Sequence, residues 1–275
     1  VQWIPGIIET KAASYQPRVH AFNYFPGTGT LIGGAFDTLK TNFSSTPAAG
    51  MVRQDFLGFI HPLATQITGP GNFQTVYDLT PWQGGIVAAG NFTSIDGVSI
   101  QGLGIRDANG NWTELGAIGS GIVRALLNDG DSLLYVSGNF RTVNGISVDG
   151  IAVYAGMSWS PLGQGFGFYN DVWALGKDSL TGEIAVGGGF FSALQTNGTQ
   201  LNSAGLVFWD GQQWNTRGEI NAQITNPAQY AQIVRAIEYA PDGTLYIGGE
   251  FSGVDNVPAD RVARYRQGMG WEALG

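Results

Sequence analysis

The stretch LYVSGNFRTVNGISVDGIAVYAGMSWSPLG, residues 134–163, holds the pattern that decides the fold of this 275-residue chain. Five copies of its phrase Gly-x-Phe stand in similar surroundings along the chain. The copies are Gly34-Ala35-Phe36, Gly90-Asn91-Phe92, Gly138-Asn139-Phe140, Gly188-Gly189-Phe190 and Gly249-Glu250-Phe251. A repeat at a nearly fixed spacing predicts an array of similar structural units. Most of the recurring residues are therefore predicted to be framework.

Four short apolar segments form each repeat, always in the same order. The first opens with a valine, the second holds the glycine phrase, the third ends near a turn, and the fourth usually centres on a tryptophan. The valines are Val19, Val76, Val123, Val172 and Val234, and the tryptophans are Trp112, Trp159, Trp214 and Trp271. Apolar segments of about 4 to 8 residues bounded by Gly, Asp, Asn or Pro are typical of strands. Four strands in each repeat of roughly 50 residues match a propeller blade.

We therefore predict an all-β chain: a single five-bladed β-propeller, residues 1–275, made of four-stranded antiparallel blades with an extra N-terminal strand. The predicted repeats are 19–75, 76–122, 123–171, 172–233 and 234–275, after a leading strand and linker at 1–18. Trp3-Ile4-Pro5-Gly6 resembles a fourth-strand phrase, so residues 1–10 look like the end of a further unit. That strand either completes the ring by pairing with another blade or is the remnant of a preceding repeat.

The connections between the predicted strands are of two kinds. Tight turns such as Asp129-Gly130 and Asp210-Gly211 follow the first and third strands, where glycine supplies the positive φ that such turns need. The other connections are longer and vary in composition. In an up-and-down blade they emerge on one face, where we expect binding because variable loops on a rigid scaffold commonly carry function.

Composition narrows the class of protein. The net charge is −8, which argues against a nucleic-acid partner because phosphate binding needs clustered Lys and Arg. Cysteine is absent, so no disulfide framework is possible. No apolar run is long enough to predict membrane insertion. A charged fraction of 12% with abundant uncharged polar residues favours an extracellular, cell-surface or virion location.

Catalytic and metal-binding motifs are scarce. The only histidines are His20 and His61, neither beside a recognisable nucleophile motif. The segment from Asp107 to Asn111 spaces its oxygen ligands like a calcium loop, but Trp112 stands where such a loop needs glycine, so a plain hairpin turn is favoured. Paired carboxylates of a glycosidase cannot be assigned from sequence. We predict no catalytic residue, no metal and no cofactor.

One loop is the best candidate for ligand binding. The predicted ligand-binding residues follow Gly165 and lead into a first strand: Phe168, Tyr169, Asn170, Asp171 and Trp173. Aromatic rings beside amide and carboxylate groups are the combination with which proteins bind sugars. In the alternative interpretation, Phe166 and Phe168 simply cap the core.

The repeat phrases apolar-Gly-Gly-x-Phe, apolar-Ala-x-Tyr/Trp-Asp-Gly and Trp-x-x-Leu-Gly resemble glycine-rich kelch-like propeller repeats. They are clearest in residues 134–163 and 245–275. Such repeats occur in secreted and cell-surface proteins, including the ectodomains of fungal cortical-marker proteins. Five-bladed tachylectin-type lectins are similar only in blade number and length. The resemblance implies a fold and carries no site residue.

We therefore expect a non-catalytic, lectin-like or adhesive recognition module. It would bind a glycan or a surface protein through the face with the long loops. The alternative is a structural subunit that contacts neighbouring subunits in a surface layer, appendage or phage tail. A glycoside-processing enzyme is the least favoured interpretation.

Overall fold

The computed structural model describes residues 7–9, 17–40, 45–70, 74–130, 132–166, 171–221 and 232–274. All regular elements in these ranges are β-strands, and no helix in them is long and apolar enough to cross a membrane. The chain forms two compact units. Unit 1 comprises Val1–Leu134 with Val143–Gly145, and unit 2 comprises Tyr135–Thr142 with Ile146–Gly275. The predicted Trp3–Gly6 phrase lies outside the described residues.

The described residues contain five four-stranded sheets. In each sheet, the strands lie side by side in the same order as they occur along the chain. Two lie in unit 1: β2 (Arg18–Phe25), β3 (Gly29–Ala35), β6 (Met51–Gln54) and β7 (Ile60–Pro62); then β9 (Thr75–Trp82), β10 (Gly85–Asn91), β13 (Leu103–Arg106) and β14 (Trp112–Glu114). The third is β15 (Val123–Asp129), β16 (Leu133–Gly138), β19 (Ile151–Ala155) and β20 (Ser158–Pro161). Two lie in unit 2: β21 (Val172–Lys177), β22 (Ile184–Gly188), β25 (Leu206–Trp209) and β26 (Trp214–Asn215); then β28 (Ile233–Tyr239), β29 (Leu245–Glu250), β32 (Val262–Arg266) and β33 (Gly270–Ala273).

Smaller sheets occupy the connections. Their strands are β1 (Ile7–Glu9), β4 (Thr38–Lys40) and β5 (Ser45–Pro47); β8 (Ile67–Thr68), β11 (Ser94–Ile95) and β12 (Val98–Ser99); β17 (Thr142–Val143) and β18 (Ile146–Ser147); β23 (Ser192–Leu194) and β24 (Gln200–Asn202); β27 (Ile220–Asn221), β30 (Gly253–Val254) and β31 (Val257–Pro258).

The first strands of neighbouring sheets lie against each other within each unit. In unit 1, β9 contacts both β2 and β15, and in unit 2, β21 contacts β28. Glycine allows the sheets to approach closely. A Cβ on Gly33 would lie 3.0 Å from Val76, and one on Gly187 would lie 2.6 Å from Val234. At these two junctions a valine of the next sheet is therefore seated over a glycine.

The glycine of the Gly-x-Phe phrase has a different role. A Cβ on Gly34 would meet the backbone oxygen of Arg18, and one on Gly90 would lie 2.2 Å from that of Thr75. Any side chain at this position would therefore collide with the first strand of its own sheet. Glycine at these positions therefore allows a close approach of two backbone segments.

The recurrent aromatic residues are framework, as predicted. All five phrase phenylalanines are at most 5% exposed, and the four tryptophans are at most 8% exposed. Two tryptophans also tie their sheet to the segment that follows the preceding sheet. The Nε1–H of Trp112 donates to the backbone oxygen of Leu63, and that of Trp271 donates to the backbone oxygen of Arg217.

The connection between second and third strands differs from the expected variable loop, because it folds into a hairpin. β8 pairs with the hairpin strand β11, and β27 pairs with β30. The N-terminal strand β1 follows the same rule, since it pairs with β4 and joins none of the four-stranded sheets. The segment that leaves one sheet is thus held by the hairpin of the next.

An acidic residue in the hairpin turn fixes this pairing in unit 1. Asp96 Oδ1 accepts the backbone N–H groups of Thr65 and Gln66 at 2.8 and 2.9 Å. Asp96 and Gly97 both have positive φ, at 47° and 83°. An Asp-Gly pair between β-branched residues is a strong hairpin signal, so this turn can be predicted from the sequence.

Candidate functional site

A β-bulge near the start of the first strand presents one side chain from each of four sheets. The register shifts between Val19 and Ala21, Val172 and Ala174, and Val234 and Ala236 leave the intervening residue without a partner on the second strand. In β9 the shift leaves Tyr77 in the same position. The side chains at these bulges are His20, Tyr77, Trp173 and Arg235. Bulges commonly redirect side chains beside functional sites.

In unit 2 the two bulges border a cavity of about 300 Å³. Its lining residues come from the starts of β21 and β28 and from the segment after β22: Asp171, Trp173, Gly189, Phe191, Gln232, Ile233 and Arg235. The backbone N–H of Gly189 donates to the backbone oxygen of Asp171 at 2.8 Å and joins two of these segments. Phe191 is 58% exposed, so an aromatic ring is accessible at the cavity.

Trp173 and Arg235 form the polar-aromatic wall of this cavity. The guanidinium carbon of Arg235 lies 4.0 Å from the centroid of the Trp173 ring, within cation–π range. Arg235 Nε also donates to Glu250 Oε1 at 2.7 Å. These contacts hold the guanidinium on the indole face while leaving it partly exposed. The wall can therefore offer both a charge and an apolar surface to a ligand.

The structure places part of the predicted binding set at this cavity. Asp171 and Trp173 line it. Phe168, Tyr169 and Asn170 lie outside the described residues. Phe166, the alternative core cap, is 3% exposed, and its ring centroid lies 4.5 Å from that of Phe190.

Sequence reasoning missed the remaining lining residues, including Phe191, Gln232 and Arg235. Arg235 had a usable signal, because it follows the recurrent valine just as Trp173 does. The repeat keeps the valine constant and varies the next residue among large aromatic and basic types. Phe191 directly follows a Gly-x-Phe phrase, but the residue at its position varies among the repeats, and so does the residue at the position of Gln232.

Unit 1 uses the same bulge positions differently. The rings of His20 and Tyr77 are 5.1 Å apart, and the guanidinium carbon of Arg124 lies 5.1 Å from the Tyr77 centroid. Burial lowers the pKa of His20, and the charges of Arg18 and Arg124 lower it further. Both effects favour the neutral form of the imidazole. These side chains form a contiguous stack.

Asp78, directly after this stack, departs from the repeat. The other four first strands carry alanine there: Ala21, Ala125, Ala174 and Ala236. Its carboxylate accepts from Asn23 Nδ2 on β2 at 3.0 Å and from the backbone N–H of Leu126 on β15 at 2.9 Å. Burial raises the pKa of Asp78 to about 6 despite these donors. One side chain thus links three neighbouring sheets.

A second charged group ties neighbouring sheets in unit 2. Arg217 Nη2 lies 2.6 Å and 2.8 Å from the two carboxylate oxygens of Glu183. The guanidinium carbon also lies 4.4 Å from the ring centroid of Phe208 in the same sheet and 5.3 Å from that of Tyr265 in the next sheet. Burial raises the pKa of Glu183, although Arg217 opposes the shift. These contacts are a framework tie, and neither Arg217 nor Glu183 lines the cavity at Trp173.

The other polar candidates are used by turns. His61 Nε2 lies 2.9 Å from Asp55 Oδ2, beside a turn in which Asp55 Oδ1 accepts two backbone N–H groups. Asp107 accepts the backbone N–H of Asn111 at 2.8 Å, so its carboxylate closes the predicted hairpin turn. Within the described ranges, no group of three or more His, Cys, Asp or Glu side chains could hold a metal ion.

Comparisons with known proteins identify the fold. No protein-family model and no curated protein matches the sequence. Among the solved structures that match is "YCF48 bound to D1 peptide", with a TM-score of 0.52 and 13% identity. The match covers 98% of this chain and 69% of that one. Together with the repeated four-stranded sheets, it assigns a β-propeller fold. The kelch-like and lectin resemblances stay predictions.

Proposed function

We propose that this chain supplies five propeller blades and acts as a non-catalytic recognition module. Its binding site is the cavity lined by Trp173, Phe191 and Arg235, and its partner is an extended segment of another protein. The observation that carries this proposal is the pair of bulges, which places a cation and an aromatic ring around one cavity.

The geometry suits a peptide because the cavity offers several kinds of contact within a short distance. Phe191 and Ile233 supply apolar surface, and Arg235 on Trp173 supplies a positive group. Because the bulges belong to hydrogen-bonded strands, little ordering of this wall is required on binding, which favours affinity. The fold neighbour YCF48 was solved with a D1 peptide bound, which is a precedent for peptide binding on a propeller.

A glycan is the second candidate. The exposed Phe191 ring lies in the same cavity as the carboxylate of Asp171 and the amide of Gln232. A sugar could stack on the ring while its hydroxyl groups bond to the two polar side chains. The low charged fraction of the sequence favours a surface protein or surface glycan as the partner, in an extracellular or virion setting. A purely structural role in an assembly is the remaining alternative.

The test uses a random-peptide array and a glycan array probed with the purified chain. We expect peptide hits that are lost in Trp173→Ala and weakened at least tenfold in Arg235→Gln. Met157→Ala is the matched control, because Met157 is 92% exposed in the same unit and does not line the cavity. Hits on glycans alone would replace the peptide with the second candidate. Binding that is unchanged by Trp173→Ala, or no binding to either array, would contradict the proposed site.

A further inference from the structure

Four Asn-x-Ser/Thr triplets of the sequence have no part in the proposed binding site. They begin at Asn42, Asn91, Asn111 and Asn197. This triplet is the acceptor signal for N-linked oligosaccharides, in which the sugar is joined to the asparagine amide. A triplet alone is a weak signal, so its structural setting has to show whether the amide can carry a sugar. Asn42 lies outside the described residues, and the other three have different settings.

Asn197 lies at the tip of an exposed hairpin. Residues 196–199 connect strands β23 and β24, and all four are exposed. A Cβ on Gly198 would meet only Gln164 Oε1, at 3.8 Å, so the space around the tip is open. The hairpin connects β22 to β25 inside the fourth of the five sheets, so its exposure does not arise from the first or the last sheet. A bulky group at this tip therefore displaces no packed side chain.

The two ends of the Asn197 amide have different roles in this turn. Its Oδ1 accepts the backbone N–H of Thr199 at 2.9 Å and the Oγ1 hydroxyl of Thr199 at 2.7 Å. The oxygen end is thus fixed, and the hydroxyl that the triplet requires lies directly beside the amide. Within the described ranges Nδ2 donates to no other group, so the nitrogen that would carry the sugar is accessible.

The amide of Asn111 is already in use. Its Nδ2 donates to Asp107 Oδ2 at 3.1 Å, while its backbone N–H donates to Asp107 Oδ1 at 2.8 Å. The middle residue of this triplet, Trp112, is 4% exposed, and its Nε1–H donates to the backbone oxygen of Leu63. A sugar on Asn111 would therefore displace a contact of the turn beside a framework tryptophan.

Asn91 has the least favourable setting of the three. It pairs with Thr75 inside a four-stranded sheet, and the next residue, Phe92, is 2% exposed. The third residue of the triplet is Thr93, whose hydroxyl donates to the backbone oxygen of Thr68 at 3.4 Å. That hydroxyl is therefore directed to a neighbouring segment and is not bound to the Asn91 amide.

We propose that Asn197 is the acceptor of an N-linked oligosaccharide, whereas Asn91 and Asn111 of the folded chain are not acceptors. Asn197 Nδ2 forms a bond to the anomeric carbon of a lipid-linked oligosaccharide, and the bond from that carbon to the lipid pyrophosphate breaks. One proton of Nδ2 passes to the transferase, and the lipid pyrophosphate is the leaving group. The inference rests on the extracellular setting proposed above, because oligosaccharyltransferases act on exported chains. Neither Asn197 nor Thr199 lines the cavity, so the sugar leaves the proposed binding site open.

The experiment secretes the chain from eukaryotic cells behind an added export leader. Peptide mass spectrometry then measures the sugar at each asparagine, before and after enzymatic release of N-linked sugars. We expect sugar at Asn197, with Asn91 and Asn111 occupied at least tenfold less. Thr199→Val should abolish the sugar at Asn197, whereas Thr199→Ser should retain it because serine keeps the hydroxyl. Asn111→Gln is the matched control and should leave the sugar at Asn197 unchanged.

Thermal unfolding of each secreted protein shows whether it is folded, and the outcomes then separate this proposal from the proposed function. A folded, secreted wild type with unmodified Asn197 would overturn the acceptor site. Sugar at Asn91 or Asn111 at the level found on Asn197 would overturn the ranking of the three triplets. Sugar at Asn197 on a chain that binds neither array would support the acceptor site and contradict only the proposed function, since the sugar is added far from the cavity lining.

Discussion

Unit 1 and unit 2 each join neighbouring sheets with a buried charged group, but they satisfy that charge differently. In unit 1 the carboxylate of Asp78 accepts three N–H groups from the described part of the chain. In unit 2 the carboxylate of Glu183 faces a full positive charge on Arg217. In both places burial raises the carboxyl pKa. A single charge held by N–H groups can be lost by protonation alone, whereas an ion pair leaves a second charge behind when one partner is removed.

The largest effect is expected for Arg217→Met in unit 2. Removing the guanidinium leaves Glu183, whose side chain is only 13% exposed, without its counter-charge. We expect the free energy of unfolding to fall by roughly 2–4 kcal/mol, measured by urea denaturation. Adding Glu183→Gln should recover part of the loss, because no uncompensated charge then remains. If the Arg217→Met protein were as stable as the wild type, the ion pair between Arg217 and Glu183 would not stabilise unit 2.

In unit 1, Asp78→Ala restores the residue that the other four repeats carry. The substitution leaves the N–H of Leu126 and the amide of Asn23 without their acceptor. We expect a loss of roughly 1–3 kcal/mol, measured in the same way, because buried unsatisfied donors are destabilising. The control is Ala125→Ser, which changes the equivalent position in the first strand of the next sheet. An Asp78→Ala protein more stable than the wild type would show that alanine is better here too.

The shifted pKa of Asp78 predicts a smaller, pH-dependent effect. The folded pKa of about 6 lies above the ordinary value of 3.8, so the folded state binds the proton more tightly. This contribution to stability is fully present below pH 3.8 and is lost as the pH rises through 6. Between pH 7 and pH 5 the wild type should therefore gain roughly 1 kcal/mol relative to Asp78→Asn. Parallel pH profiles of urea denaturation for the two proteins would contradict the raised pKa.

The smallest effect on stability is expected for Arg235→Gln. Arg235 is partly exposed, and its ion pair with Glu250 and its contact with Trp173 are both accessible to solvent. We expect a loss of no more than about 1 kcal/mol, measured by thermal unfolding. A larger loss would mean that this arginine serves the framework as Arg217 does. The cavity would then be a poorer candidate for a binding site.

The framework was predictable because the repeat shows each of its parts several times. Every repeat has a glycine that approaches the first strand, such as Gly90, and a buried phenylalanine, such as Phe92. The role of each could therefore be predicted from the sequence. The turn signals of the hairpins, such as Asp96-Gly97, were also readable in the sequence. However, the connections that contain these hairpins were interpreted as loops. Their pairing with a preceding segment depends on contacts between different repeats.

The cavity was only partly predictable, because its residues meet through the packing of two sheets. Asp171 and Trp173 stand out by composition, whereas Arg235 is brought to Trp173 from a strand roughly 60 residues away by a register shift. A bulge is a property of backbone pairing and has no fixed sequence signature at this position. Asp78 could have been noticed as the one acidic residue in a column of alanines. The three N–H groups that donate to its carboxylate could not be identified from the sequence.

The pairing of each outgoing segment with the hairpin of the following sheet has a consequence for synthesis on the ribosome. Ile67 in β8 finds its partner Ile95, and Ile220 finds Val254, only after about 30 further residues have been made. The segment that follows each of these sheets therefore has no backbone partner until the hairpin of the next sheet has been synthesised. Maturation of the nascent chain should run as a wave from the amino to the carboxyl end, with the most recently made sheet always the most vulnerable to proteases.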